Sequence, residues 1–283
     1  MKSHSVYKLR EFVSVPFLIL RILLTNFRGR KKYLIDKFLY GENKQQNIIL
    51  VSPKKEAVKD TAIVYYHGGG WRSGGSDAFR FAGYFFADYG FHAIVPEYRK
   101  VPEHTFPVQI VDAAEALKAG IDILKKNKIY IKKIILAGQS AGAQLAALLA
   151  YSDIPEISSE LKESIKGVIS ISGPLNFSEC RNDYVNGFIN DFVLNKENRE
   201  KADPFRYLAG DVNIPVLCVH GEHDPSVELA SSESFVKRIN ELKEGLGTYL
   251  TVKGGLHSNL VKLFWKKIEG YLSMVTWIRN QTR

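Results

Sequence analysis

From residue 60 onward the chain alternates two hydrophobic patterns. Short, nearly unbroken apolar runs recur at "TAIVYYH" (61–67), "FHAIVPEYR" (91–99), "KKIILAGQ" (132–139), "IKGVISISG" (165–173), "IPVLCVHGE" (214–222) and "GTYLTVKGG" (247–255). Their length and β-branched content predict strands. Between them, "FPVQIVDAAEALKAGIDILKK" (106–126), "AGAQLAALLAY" (141–151) and "SSESFVKRINELKE" (231–244) carry helical spacing, and "NLVKLFWKKIEGYLSMVTWIRN" (259–280) predicts a closing helix. Strands that are apolar on both faces and alternate with helices predict an α/β fold, its mostly parallel central sheet flanked by helices. "KFLYG" (37–41) and "QNIILVS" (46–52) predict earlier edge strands. No internal repeat or low-complexity tract interrupts the series.

Two stretches depart from the alternation. Residues 174–208 are polar and aromatic, without clear periodicity, and lie between two strands. An insertion at the C-terminal end of a strand is where a lid sits, and this one is expected to be a lid. The other stretch is "KLREFVSVPFLILRILLTNFRGRKK" near the N-terminus. From Pro16 to Phe27 it suits a helix with proline in its first turn and a basic end. Its apolar part falls short of the roughly 20 residues a bilayer span needs, Arg21 interrupts it, and no small-residue cleavage site follows. A helix packed on the main domain, a helix lying in a membrane surface, and an uncleaved anchor are the three readings. The expected division is therefore an N-terminal basic amphipathic helix over 1–45, a cap or a membrane-surface segment, and a catalytic domain over 46–283. The N-terminal helix and the 174–208 insertion are together expected to form the lid over the pocket.

Composition adds location rather than function. The 283 residues are 45% hydrophobic and carry a net charge of +9. Residues 1–40 hold nine Lys/Arg against Glu11 and Asp36, so most of the excess lies there and the remainder is nearly balanced. A nucleic-acid-binding face over the main domain is disfavoured. Cys180 and Cys218 make no disulfide framework, and a reducing, cytoplasmic setting fits, with membrane association through the N-terminus the alternative.

Chemistry gathers at the C-terminal ends of the strands. The run 132–139 ends in Gly138-Gln139-Ser140-Ala141-Gly142 and passes into a helix, a G-x-S-x-G in strand–turn–helix context. Ser140 is expected in a strained turn, with glycine at 138 and 142 because side chains there would strike neighbouring backbone. A serine cap on a helix would account for Ser140 but not for both glycines. The order nucleophile, acid, base then points to Asp224 and His257, each just beyond a strand. Glu222 is the alternative acid. His220, His223 and Asp224 in "HGEHD" do not have the H-E-x-x-H pattern of a zinc helix, and neither metal nor cofactor is expected. His92 and His104 precede the nucleophile and are expected to be structural.

"HGGGW" (67–71) places three glycines directly after a strand. Glycine there lets backbone amides approach an oxyanion closely. Gly69 and Gly70 are expected to donate, with the Ala141 amide as third donor, while His67 orders the loop. The phosphate-cradle reading fails because the last glycine of G-x-G-x-x-G is missing and no G-K-[ST] follows.

"HGGGW", "PEYRKVPEHTFPVQIVDA", "GQSAGAQLA" and "GLHS", in that order, resemble the α/β-hydrolase esterases of the hormone-sensitive-lipase type. Their relatives include kynurenine formamidases and isoprenylcysteine methylesterases. The resemblance covers about residues 55–265. It implies the α/β-hydrolase fold, a carboxylic-ester hydrolase without cofactor, a Ser140/Asp224/His257 triad, and Gly69, Gly70 and Ala141 as oxyanion donors. It also implies that Tyr98, Arg99, Pro102 and Asp112 are scaffold. Two positions depart from the lipase-like pattern: Gln139 stands for Asp and Ala143 for Gly. "GQSAGA" looks more like the methylesterase and formamidase branch, although Gly70 stands where formamidases carry Tyr. Trp71 and Gln139 are expected to touch substrate, and Phe177, Tyr184, Phe188 and Phe192 either line the pocket or pack. The expected partner is a small or medium apolar ester. An amidase and a catalytically silent ligand binder are the rivals; oligomeric state has no signature.

Overall fold

The computed structural model describes residues 4–54, 57, 60–265 and 270–282. Eight strands form one sheet: β1 (Leu34–Leu39), β2 (Asn47–Ser52), β3 (Thr61–Tyr66), β4 (His92–Pro96), β5 (Lys133–Gln139), β6 (Ile165–Ile171), β7 (Val216–Gly221) and β8 (Gly247–Val252). Their order is β1-β2-β4-β3-β5-β6-β7-β8. The β1–β2 and β2–β4 pairs are antiparallel, and β4 through β8 run parallel. This is the α/β-hydrolase arrangement the resemblance implied. The sheet begins at Leu34, so the first strand lies inside the segment expected to be a separate N-terminal part.

The helices are α1 (His4–Lys32), α2 (Ser76–Asp88), α3 (Val108–Lys126), α4 (Ala141–Tyr151), α5 (Ser159–Glu163), α6 (Asp183–Val193), α7 (Lys196–Ala202), α8 (Leu229–Leu242) and α9 (Tyr271–Thr282). Successive strand side chains point to opposite faces. Ala62, Val64 and Tyr66 therefore join α3, α4 and α8 in one core layer. Ile63 and Tyr65 join α1, α2 and α9 in the other. Both faces are dry, which is why the strands read as continuous apolar runs.

Three expectations change. α1 is 29 residues long and Pro16 is internal, not in the first turn. The helix runs through the missing N–H of Pro16 and is long and apolar enough, by length and composition, to cross a bilayer. The single closing helix is replaced by a 3₁₀ segment at Ser258–Phe264 and α9, with Gly270 at φ 92° immediately before α9. The 174–208 insertion is ordered: it holds α6, α7 and two short 3₁₀ helices.

Topology sets the position of the site. The chain leaves β3 toward β4 on one side, and β5 lies on the other, so the strand order reverses at β3. In such sheets the crevice lies beyond the carboxyl ends of the strands at the reversal. Tyr66 pairs with Gly138, so β3 and β5 end nearly level. The loops that follow them, His67–Gly70 and Gln139–Ser140, are thereby placed side by side.

Candidate active site

Ser140 occupies the turn between β5 and α4 at φ 52°, a left-handed value that costs a non-glycine residue strain. The neighbouring glycines make that turn sterically attainable. A Cβ on Gly138 would lie 2.3 Å from Gly142 O, and one on Gly142 would lie 2.1 Å from Tyr66 O. The expected collisions are therefore with the turn's own backbone and with β3.

The three residues read as nucleophile, base and acid come together. His257 Nε2 lies 2.9 Å from Ser140 Oγ, and His257 Nδ1 lies 2.8 Å from Asp224 Oδ2. With Asp224 ionised, Nδ1 carries the proton and donates to the carboxylate, which leaves Nε2 to accept from the serine hydroxyl. Asp224 Oδ1 accepts the Ser226 and Val227 amides, both at 2.9 Å. Burial alone would raise the Asp224 carboxyl. The charge on His257 and the hydrogen bonds from His220 and His257 outweigh it and hold Asp224 well below the usual carboxylate range. For His257, burial disfavours the imidazolium, but Asp224, by charge and hydrogen bond, and the Glu11 carboxylate raise its pKa above the ordinary value.

Glu222 is excluded as the acid by geometry: its Oε2 accepts the Gly254 amide at 2.8 Å. The "HGEHD" histidines also separate. His223 stacks on Tyr7 of α1. His220 is fully buried, with Nδ1 2.9 Å from Ser232 Oγ and Nε2 3.1 Å from Val227 O and 3.3 Å from Asp224 Oδ2. Nε2–H therefore faces both oxygens, and Nδ1 accepts from the serine. His220 steadies the acid, a role the sequence hid because four residues along an irregular strand end carry no fixed geometry.

The glycine loop lies against the nucleophile. A Cβ on Gly68 would sit 3.4 Å from Ser140 Cβ. Gly69 and Gly70 have φ of 126° and 60°. Among the described residues the Gly69, Gly70 and Ala141 amides have no hydrogen-bond acceptor within the chain. His67 does order the loop. It is fully buried, its Nδ1 donates to Gly68 O at 2.8 Å, and its ring stacks on Tyr98. Burial lowers its pKa to about 4, so it stays neutral near pH 7. Tyr98 Oη in turn donates to His67 O, and Asp112 accepts from the Arg99 amide and guanidinium and from Gln46. Tyr98, Arg99 and Asp112 are scaffold.

Trp71 and Gln139 border the cavity, but their side chains are committed elsewhere. The indole is 1% exposed, donates to Gln144 Oε1 and lies flat on Phe192 at 4.2 Å. Gln139 Nε2 donates to His257 O at 3.2 Å and so holds the base's loop. Of the four insertion aromatics, Tyr184 and Phe188 line the cavity, whereas Phe177 and Phe192 are buried in the core.

Above Ser140 and His257 lies a cavity of about 1100 Å³. Its walls include the glycine loop, the first turn of α2 from Asp77 to Arg80, α6 through Tyr184, Val185 and Phe188, and one side of α1 from Val15 to Arg30. Glu11 on α1 reaches the loop that carries the base: its Oε1 accepts the Ser258 amide at 2.6 Å. α1 thus roofs the cavity as the sequence led us to expect, whereas the Glu11 contact was not legible, because nothing local in residues 4–32 says which loop they meet.

A mostly parallel sheet with a serine elbow after β5, a histidine after β8 and an aspartate after β7 defines an α/β hydrolase with a Ser–His–Asp constellation. The comparison with known families agrees: the BD-FAE model matches residues 49–239, and the chain belongs to that family. Esterase LipC of Mycobacterium tuberculosis is 25% identical over 78% of this chain and 59% of its own length. Human arylacetamide deacetylase-like 2 is 33% identical over 40% of this chain and 29% of its own. Kynurenine formamidase of Danio rerio is 22% identical over 71% and 67%. The chain thus spans between about a third and two thirds of these relatives. Esterase B from Lactobacillus Rhamnosis (HN001) superposes with a TM-score of 0.74 at 18% identity over 100% of this chain and 96% of its own. A truncated carbohydrate esterase from gut microbiota gives 0.74 at 20% identity over 88% and 97%.

Proposed function

We propose that this chain is a serine carboxylic-ester hydrolase acting on apolar esters through an acyl-enzyme. The observation that carries the reading is the hydrogen-bonded series Ser140–His257–Asp224 at the floor of an apolar cavity, beside three unengaged amides. Ser140 Oγ attacks the ester carbonyl carbon as His257 Nε2 takes its proton. The carbonyl oxygen becomes an oxyanion facing the Gly69, Gly70 and Ala141 amides, each worth about 3 kcal/mol or more when aimed at developing charge. Collapse breaks the bond to the leaving oxygen, which receives the proton from His257. A water molecule then repeats the sequence on acyl-Ser140 and releases the acid. Asp224 holds the tautomer and offsets the imidazolium charge.

In this reading residues 174–208 serve as the lid, the body works in the cytoplasm, and the N-terminal segment contacts a membrane surface. The test is hydrolysis of p-nitrophenyl acetate, butyrate, octanoate and laurate by wild type and Ser140→Ala. The mutant is expected to lose about 10⁴-fold or more in kcat. Equal activity of the two proteins would remove Ser140 from the mechanism. Amide hydrolysis by the same residues is the second reading, favoured by the formamidase relative. Turnover of a formyl-anilide exceeding that of every ester would establish it instead.

A further inference from the structure

α1 has two faces with different fates. One is taken by protein: Leu18 and Asn26 are buried, Asn26 Nδ2 donates to Asp77 O and Ala78 O, and Glu11 holds the Ser258 amide. The opposite face is apolar and open. Phe12 is 78% exposed and Phe17 74%, and Leu9, Val13, Leu20 and Leu24 continue the stripe. At about 100° per residue these positions form one arc, and Arg10, Arg21 and Arg28 fall within about 20° of each other along one flank of it. All three arginines are exposed, and none makes an ion pair among the described residues.

The other flank is the cavity. Ile19, Leu23 and Phe27 line it and are also 51%, 61% and 68% exposed. The apolar face and the cavity mouth are therefore one continuous surface, whereas most soluble proteins keep exposed apolar patches small.

We propose that the outer face of α1 docks on an anionic phospholipid bilayer, and that the cavity mouth beside it takes its ester directly from that bilayer. The docking half stands on its own; the second half rests on the ester-hydrolase reading. A single convex helix with an apolar arc and a basic edge fits the boundary between headgroups and acyl chains. The charge balance selects the occupant, since most of the chain's excess positive charge lies in residues 1–40. A membrane-spanning placement would require the Asn26 and Glu11 bonds to break and would remove one wall of the cavity. The substrate class that follows is a membrane-partitioned acyl ester, entering acyl end first past Leu23 and Phe27.

The experiment separates the two halves. Full-length Ser140→Ala is floated with vesicles of phosphatidylcholine alone or with about 30 mol% phosphatidylglycerol. Expected is binding to the anionic vesicles at least about tenfold above neutral ones, released by about 0.5 M salt. Changing Phe12, Val13, Phe17 and Leu20 together to serine, in the wild-type chain, should abolish flotation. The same change should leave p-nitrophenyl butyrate turnover within about twofold and cut hydrolysis of a vesicle-embedded diacylglycerol about tenfold. Replacing Arg10, Arg21 and Arg28 by glutamine should remove the preference for anionic vesicles while keeping circular dichroism and butyrate turnover. A chain that stays unbound with anionic vesicles overturns the proposal. So does a wild-type dimer in light scattering that the serine variant converts to monomer, which would make a second copy the occupant. A chain that floats but hydrolyses no ester leaves docking standing and sinks the hydrolase reading alone.

Discussion

At the residue scale the site is organised around the basicity of His257. Asp224 accepts two backbone amides and two histidine N–H groups, and its replacement by asparagine would turn one of its oxygens into a donor. Asp224→Asn should lower kcat on p-nitrophenyl butyrate by about 10⁴-fold with little change in KM. Glu11 gives a finer test. Catalysis needs neutral His257, so activity falls as pH drops through its raised pKa. Glu11→Gln keeps an acceptor for the Ser258 amide but removes a charge that raises that pKa. The acidic limb of kcat/KM should therefore move to lower pH while its plateau is kept; an unmoved limb would make Glu11 a tether only. Ser140, Asp224 and His257 could be read from the sequence because a strand end, a tight turn and chain order constrain them locally. Glu11 and His220 could not, since each acts through a contact made only after the whole sheet closes.

At the element scale, packing determines which local patterns can be read. The helix α4 runs where its sequence predicts, from Ala141 to Tyr151, since every turn is apolar and buried. The helix α2 escapes the periodicity argument because "FRFAGYFFAD" has scarcely any polar face: it is sandwiched between the sheet and α1. The insertion looked irregular although its caps are written plainly. Asn182 and Asn195 side chains accept the amides that open α6 and α7. The crossing of α4 over β3 is a close backbone contact. Gly142→Ala would place its methyl carbon 2.1 Å from Tyr66 O and force the two apart. A loss of about 2–4 kcal/mol in urea unfolding is expected, together with lost activity as Ser140 shifts. A stability within about 0.5 kcal/mol of wild type would show that the helix has room to move.

At the scale of the whole molecule, the chemistry and the selectivity come from different parts. The triad hangs from the ends of β5, β7 and β8, whereas much of the cavity wall comes from the helices α1, α2 and α6 together with the glycine loop. A cavity of about 1100 Å³ with aliphatic and aromatic walls has room for a medium acyl chain. Each methylene that enters contributes about 0.8 kcal/mol. The kcat/KM for p-nitrophenyl octanoate should exceed that for acetate by about tenfold or more. A profile that falls steadily from acetate would mean that the acyl group does not lie along α1.

The bond from Glu11 to Ser258 joins residues 247 positions apart in the chain. A ribosome therefore releases α1 long before the segment that fastens it exists. During most of synthesis the helix has neither its sheet nor the base loop to rest on, and its oily side is free for chaperones or lipid to hold. His257 and the last wall of the cavity are completed in the same late step. On the ester-hydrolase reading, an unfinished chain carries the serine but lacks both the base and the enclosure that reading requires.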